Sequence, residues 1–300
     1  MAYSYGPVCF GNDDIALRIV DLCSPGVLTA MMQVSSYTNG LVRTVVSGRV
    51  RGYLAPYFRD REDLEEFWDT LNETKSLICG SVALGVLDPT VLKAGGGPAD
   101  LNILTPMMRV HDINDCLGCA GFYQSAIATV REGYKKSVFR FFVFRKGRLR
   151  ITVSQSTTEC ALYPLANAAT THEMTALSSM LLFTLYPKHL DERISTHGIL
   201  APTDEDVERY NTKFDLDFKK RNVAVAGRGM CFEGCYGRWR RARGLHAVGK
   251  IGWGGLDLIS DEWLTKPEKD KKMASELKQF ASSHIRWRLK PYCTEAECEA

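Results

Sequence analysis

Gly80 and Ser81 in "ICGSVAL", followed by Asp100 and Asn102 in "ADLNIL", are residues whose types and spacing suit phosphate and cation chemistry. A short strand that ends in Gly-Ser and runs into a helix sets backbone N–H groups and a hydroxyl at the helix's positive end, which favours an anion. Gly80 lets the main chain approach a ligand closely. The same pair is also how an ordinary helix begins, with Ser81 as N-cap. After a loop holding "AGGGP", the strand "ADLNIL" sets Asp100 and Asn102 on one face and Leu101 and Ile103 on the other. Asp100 is the acid of this pair, the residue on which any cation chemistry here would rest. Gly80, Ser81 and Asn102 are candidates for holding a phosphate-bearing ligand.

The elements around these residues follow from periodicity. Between Asp13 and Leu54 there are three apolar runs, the first ended by "CSPG": Ile15, Ile19 and Leu22; Leu28, Met31 and Met32; Leu41, Val42, Val45 and Val46. These predict a compact three-helix unit. Asp60 can cap the next helix, whose core stripe is Leu64, Phe67, Trp68 and Leu71. "VFRFFVF" and "LRITVS" flank "RKGR", a hairpin with Gly147 in its turn. Its second strand alternates Leu149, Ile151, Val153 against Arg150, Thr152, Ser154. Residues 161–187 read as a mostly buried helix ended by Pro187. Further helices are expected over 203–221, from a Thr-Asp cap, and over 266–287. The fold class is α+β, divided into a helical head (1–57), a mixed-sheet core with flanking helices (58–210) and a basic C-terminal region with a terminal helix (211–300).

Two resemblances add to this reading. "NDDIALRIVDLCSPGVLTAMMQVSSYTNGLVRTVVSGRV" resembles an F-box, with Asn12 standing where that family usually opens with Leu-Pro. The resemblance implies docking to the Skp-type adaptor of a ubiquitin ligase; a plain helical cap on the core is the other reading. Gly-Ser, a loop, then acid-apolar-acid on a strand resembles the DNA polymerase β type of nucleotidyltransferase. That resemblance implies a nucleotide and Mg2+, held by two strand carboxylates and a third on a neighbouring strand. The chain is also similar to fungal proteins of unassigned function with an F-box-like head and a "Thr…Met…Tyr-Pro" segment, here "TTHEMTALSSMLLFTLYP".

The acidic positions depart from that pattern: this chain has Asp100, Asn102 and Thr152. Asn adds no charge, and Thr is a poor ligand for a hard cation. A unit charge pair at 4 Å is worth about 4 kcal/mol at an effective dielectric near 20, so two lost charges defeat a two-metal mechanism. One Mg2+ at Asp100, aided by nucleotide phosphates, would remain. An acid from elsewhere, such as Asp88, Asp112, Asp115 or Glu173, would restore a metal site if it lay beside Asp100.

The net charge is +3, yet residues 213–250 carry ten Lys or Arg against three acids. "GRGMCFEGCYGRWRRARGLHAVGK" interleaves Arg with aromatic residues, as a single-stranded nucleic-acid surface does. Arg238 and Arg240 are alternatively candidates to bind a nucleotide's phosphates at the cleft mouth. "CLGC" with "CFEGC" offers four thiolates to zinc, at an unusual spacing. No run approaches the roughly eighteen apolar residues of a membrane span, and no export signal precedes the ten cysteines, so a cytoplasmic or nuclear protein with reduced thiols is expected. Three functions follow: a non-catalytic nucleotidyltransferase-like interaction or ligand-binding module, an Mg2+-dependent nucleotidyltransferase using Asp100, or a single-stranded nucleic-acid binder.

Overall fold

The structure is a computed structural model and describes residues 12–58, 60–93, 100–197, 202–219, 240–241, 249–253 and 286–287. Three helices come first: α1 (Asp13–Asp21), α2 (Pro25–Val34) and α3 (Ser36–Leu54). Asn12 caps α1, its side-chain oxygen accepting from the N–H groups of Asp14 and Ile15 at 3.1 and 3.2 Å. Pro25 opens α2, where a missing N–H is not needed. The core-facing side of α1 differs from the one its large residues suggest. Ala16 and Val20 are buried, whereas Ile15, Ile19 and Leu22 are 46%, 38% and 80% exposed. Small side chains let α1 lie close against α3, and the large ones are left facing outward.

One buried cation ties this helical head to the core. The guanidinium of Arg49, on α3, donates to the Asp21 carboxylate at 2.9 Å and to the Asp21 carbonyl at 2.6 Å. It also donates to the carbonyls of Val86 and Leu87, both at 3.2 Å. These carbonyls end α1 and α5 (Ser81–Leu87), where partial negative charge gathers. Val42, Val46 and Val50 of α3 belong to the same apolar cluster as Leu101 and Ile103 of the sheet.

Helix α4 (Arg61–Thr74) turns Phe67, Trp68 and Leu71 inward, as its stripe predicts, and Lys75 closes it in the left-handed region at φ 58°. The strands are β1 (Leu77–Cys79), β2 (Leu101–Thr105), β3 (Tyr123–Ala128), β4 (Val138–Lys146), β5 (Leu149–Ser156), β6 (Thr175–Leu177), β7 (Leu181–Thr184), β8 (Ile194–Thr196), β9 (Asp217–Lys219), β10 (Arg240–Arg241), β11 (Gly249–Gly252) and β12 (Arg286–Trp287). Eight of them form one sheet in the order β11-β7-β6-β1-β2-β5-β4-β3. Its neighbours are antiparallel except for the parallel pair β2–β5. β8 pairs parallel with β9, and β10 antiparallel with β12. The remaining helices are α6 (Val110–Cys119), α7 (Leu162–Ala166), α8 (Pro187–Asp191) and α9 (Asp204–Lys213). The fold is mixed α/β.

Two expected helices are corrected, and a third lies almost wholly outside the described residues. Residues 161–187 contain α7, a single turn at His172–Met174 and the antiparallel strands β6 and β7. Every residue of β6 and β7 is buried, so no polar face betrays the period, and Pro187 starts a helix rather than stopping one. The helix from the Thr203 cap ends at Lys213 because Phe214 bridges to Leu92 and the chain turns extended into β9. Over 266–287, residues 266–285 lie outside the described residues, and the last two form β12. The Gly147 hairpin is as expected: β4 and β5 pair from Val138↔Ser156 to Lys146↔Leu149, with Gly147 at φ 59°.

Candidate functional site

Strand pairing assembles the centre of the site. Cys79 of β1 stands opposite Asn102 of β2, and Asn102 opposite Thr152 of β5, so three strands place their residues in one row. Asp100 lies just before β2. Gly80 follows β1 at φ 71° and is itself the N-cap of α5, so Ser81 is the first helical residue rather than the cap. A Cβ at Gly80 would come within 3.0 Å of Asn102 Nδ2, which is the close approach that requires glycine here.

Cys79, Gly80, Ser81, Asp100 and Asn102 line a cleft of about 930 Å3 together with Arg145, Arg148, Arg150, Arg209 and Lys213, and with the rings of Tyr134, Phe141 and Tyr210. Five cationic side chains thus face two carboxyl groups, Asp100 and Glu173. Arg209 pairs with Asp206 at 2.8 Å and lies over the Tyr210 ring. Among the described residues, Arg145, Arg148 and Arg150 have no carboxylate partner. Arg145 and Arg150 are also directly opposed across the hairpin, a like-charge placement that repels unless an anion sits between them.

Lys213 reaches the Gly80–Ser81 end of the cleft. Its Nζ donates to Ser81 Oγ at 3.0 Å, and Ser81 is 3% exposed. Burial pulls the Lys213 ammonium below its ordinary range, while the charge of Asp100 supports the protonated form.

The wall opposite is a buried polar knot. Glu173 accepts from the Tyr210 hydroxyl at 2.7 Å and from Thr170 at 3.2 Å, and burial raises its carboxyl above the usual range. Burial first, then the Glu173 charge, pushes the Tyr210 phenol upward. His172, 2% exposed, sets Nδ1 2.8 Å from Ser195 Oγ and 2.9 Å from Thr170 Oγ1. Its Nε2 has no hydrogen-bond partner among the described residues.

The donor set does not fit two divalent cations. Asp100 brings one charge, Asn102 an amide, and Thr152 a hydroxyl whose oxygen is buried without a hydrogen-bond partner. Among the other acids, Asp88 faces Arg193 and Thr90, and Asp112 faces Arg109. Glu173 shares the cleft, but Tyr210 and Thr170 occupy its oxygens. Among the described residues no three His, Cys, Asp or Glu side chains gather as a metal-binding group.

The structure therefore brings Gly80, Ser81, Asp100 and Asn102 together. Arg238 lies outside the described residues, and Arg240 belongs to β10. Cys116 is buried at the end of α6, its thiol pushed up to about 11 by burial, whereas the "CFEGC" cysteines lie outside the described residues. Sequence reasoning missed Arg145, Arg148, Arg209 and Tyr210 as cleft residues, and named Glu173 only as one of four acids that could lie beside Asp100. Arg148 and Arg150 around Gly147 carried a signal, being cations beside a turn whose second strand already pointed Thr152 at the site. No helix among the described residues is long and apolar enough to cross a membrane. Comparison with protein families, with curated proteins and with solved structures finds no match to this chain.

Proposed function

We propose that the chain is a nucleotidyltransferase-like protein that keeps a nucleotide-phosphate cleft without group-transfer chemistry, and acts as a ligand-binding module. The observation that carries this reading is the gathering of five cations in the cleft of Gly80, Ser81 and Asp100, three of which, Arg145, Arg148 and Arg150, have no carboxylate partner among the described residues, with Arg145 and Arg150 opposed in register. An anion with several charges relieves that repulsion, and the aromatic walls suit a base or sugar. Isothermal titration with each common nucleoside triphosphate tests it. Saturable binding is expected, weakened about tenfold or more when Arg145 and Arg150 are both replaced by Glu, which reverses two charges. Incorporation of labelled nucleotide with Mg2+, abolished by Asp100→Asn, would instead establish a working transferase.

A second reading concerns the head. Ile15, Ile19, Leu22, Val27 and Val34 are exposed on α1, on α2 and at the ends of these helices, more apolar surface than a simple cap on the core requires. This supports docking to a Skp-type adaptor. Ile15→Asp with Ile19→Asp is expected to abolish co-purification with such an adaptor while leaving the thermal midpoint within a few degrees, since exposed positions contribute little to stability. Retention of the adaptor by that double variant sinks the reading.

A further inference from the structure

The cleft contains a cation of its own, Lys213, held beside Ser81 and lining the same space as Asp100. Lys213 ends α9, and its backbone is held on both sides of the adjoining turn. Its carbonyl accepts from the Lys93 N–H at 3.1 Å, Phe214 bridges to Leu92, and the Asp215 N–H donates to the Val91 carbonyl at 2.7 Å. The side chain runs along the Phe214 ring, with Nζ 5.7 Å from its centroid, and reaches Ser81 Oγ at 3.0 Å. An ammonium group carries three protons to donate. Ser81 takes one, leaving two for other acceptors, while the Ser81 hydroxyl keeps its own proton for an incoming oxygen.

We propose that the Lys213 ammonium takes the place of the divalent cation, so that the cleft binds a nucleoside polyphosphate without metal. The inference rests on the reading of the cleft as a nucleotide site. Two features of the donor set favour it over a weakly held Mg2+. The row Asn102–Thr152 carries no charge, so Asp100 is the acid these strands offer, and Lys213 lines the same cleft as a counter-charge. A divalent ion entering beside Lys213 would meet repulsion from it and from Arg209, Arg145 and Arg150. A phosphate chain meets the opposite field and needs no escort to neutralise it.

Titration calorimetry of the full chain with ATP, in EDTA and in excess Mg2+, decides the matter. Affinity in EDTA is expected to equal or exceed that in Mg2+, because free ATP carries more negative charge than its magnesium complex. Lys213→Gln is expected to weaken binding in EDTA at least about tenfold, and Lys213→Arg to restore most of it. Binding that requires Mg2+, or that Lys213→Gln leaves unchanged, overturns the inference while leaving the nucleotide reading intact. If ATP binds under neither condition, the same pair of titrations is run with the other common nucleoside triphosphates, and failure of all of them removes both. The comparison of EDTA with Mg2+ uses the unaltered protein and does not depend on how a variant folds.

Discussion

Acidification is expected to unfold the protein through His172, at up to about 1.4 kcal/mol per pH unit once the opposing carboxyl of Glu173 is protonated. The imidazole sits among the rings of Tyr210, Phe214 and Phe218 at centroid distances of 4.9, 4.8 and 5.3 Å. Burial, and secondarily the charge of Lys213, lowers its pKa from 6.5 to about 3. The unfolded chain takes up a proton below pH 6.5 that the folded chain refuses. The contribution to stability is therefore complete above 6.5 and is lost as pH falls toward 3, on the order of 5 kcal/mol across that window. Glu173 acts with the opposite sign. Its folded pKa lies above 4.5, so its protonation favours the folded state as pH drops toward 4.5. Stability should consequently fall gently near neutrality and steeply below 4.5. Urea midpoints measured across this range for the parent and for His172→Gln check the point: the variant should be less stable at neutral pH and flatter in acid. Parallel curves for the two proteins would show that His172 is not the titrating group.

Replacing Arg49 by Ala is expected to cost about 3 kcal/mol, read as a lower denaturant midpoint at constant slope. Arg49 is 8% exposed and donates to three carbonyls and a carboxylate from two other helices. Its loss strands the Val86 and Leu87 carbonyls at the closed end of α5, and a buried acceptor without a partner costs about 1–3 kcal/mol. Lysine does not repair this, since one compact ammonium cannot span acceptors on both helices as a planar fork does. Asp21→Asn should matter far less. The Asp21 side chain is 57% exposed, so its ion pair is screened and worth at most about 1 kcal/mol. Equal losses in Arg49→Ala and Asp21→Asn would mean that the ion pair, and not the carbonyls, holds the head in place.

Much of the sheet was legible where one face is wet. β5 alternates cleanly because its Arg150 side faces the cleft while Ile151 and Val153 are buried, and Gly147 marks the turn before it. Strand β2 was legible for the same reason, whereas its register, which sets Asn102 opposite Thr152, was not written in either strand. β6 and β7 were not, because strands buried on both faces read as continuous apolar sequence. In α1 the large apolar residues misled, since close helix packing selected Ala16 and Val20. The motif Gly80-Ser81-Asp100 located the cleft, but its cations come from two separate stretches: the β4–β5 hairpin, and Arg209 with Lys213 on α9. Spacing along a chain carries no information about such convergence. Lys213 stood out in the sequence only as the first residue of a basic segment, while its role depends on the Leu92–Phe214 bridge.

β11 adds an edge to the sheet far along the chain from its partner β7, and the residue after it, Trp253, is 0% exposed and meets Trp68 edge-on at 5.2 Å. During synthesis the ribosome releases the head, α4 and most of the sheet before this tryptophan exists. Until it arrives, the β7 edge and the indole of Trp68 stand open to other chains, so the nascent polypeptide passes through an aggregation-prone interval in which a chaperone has something to hold.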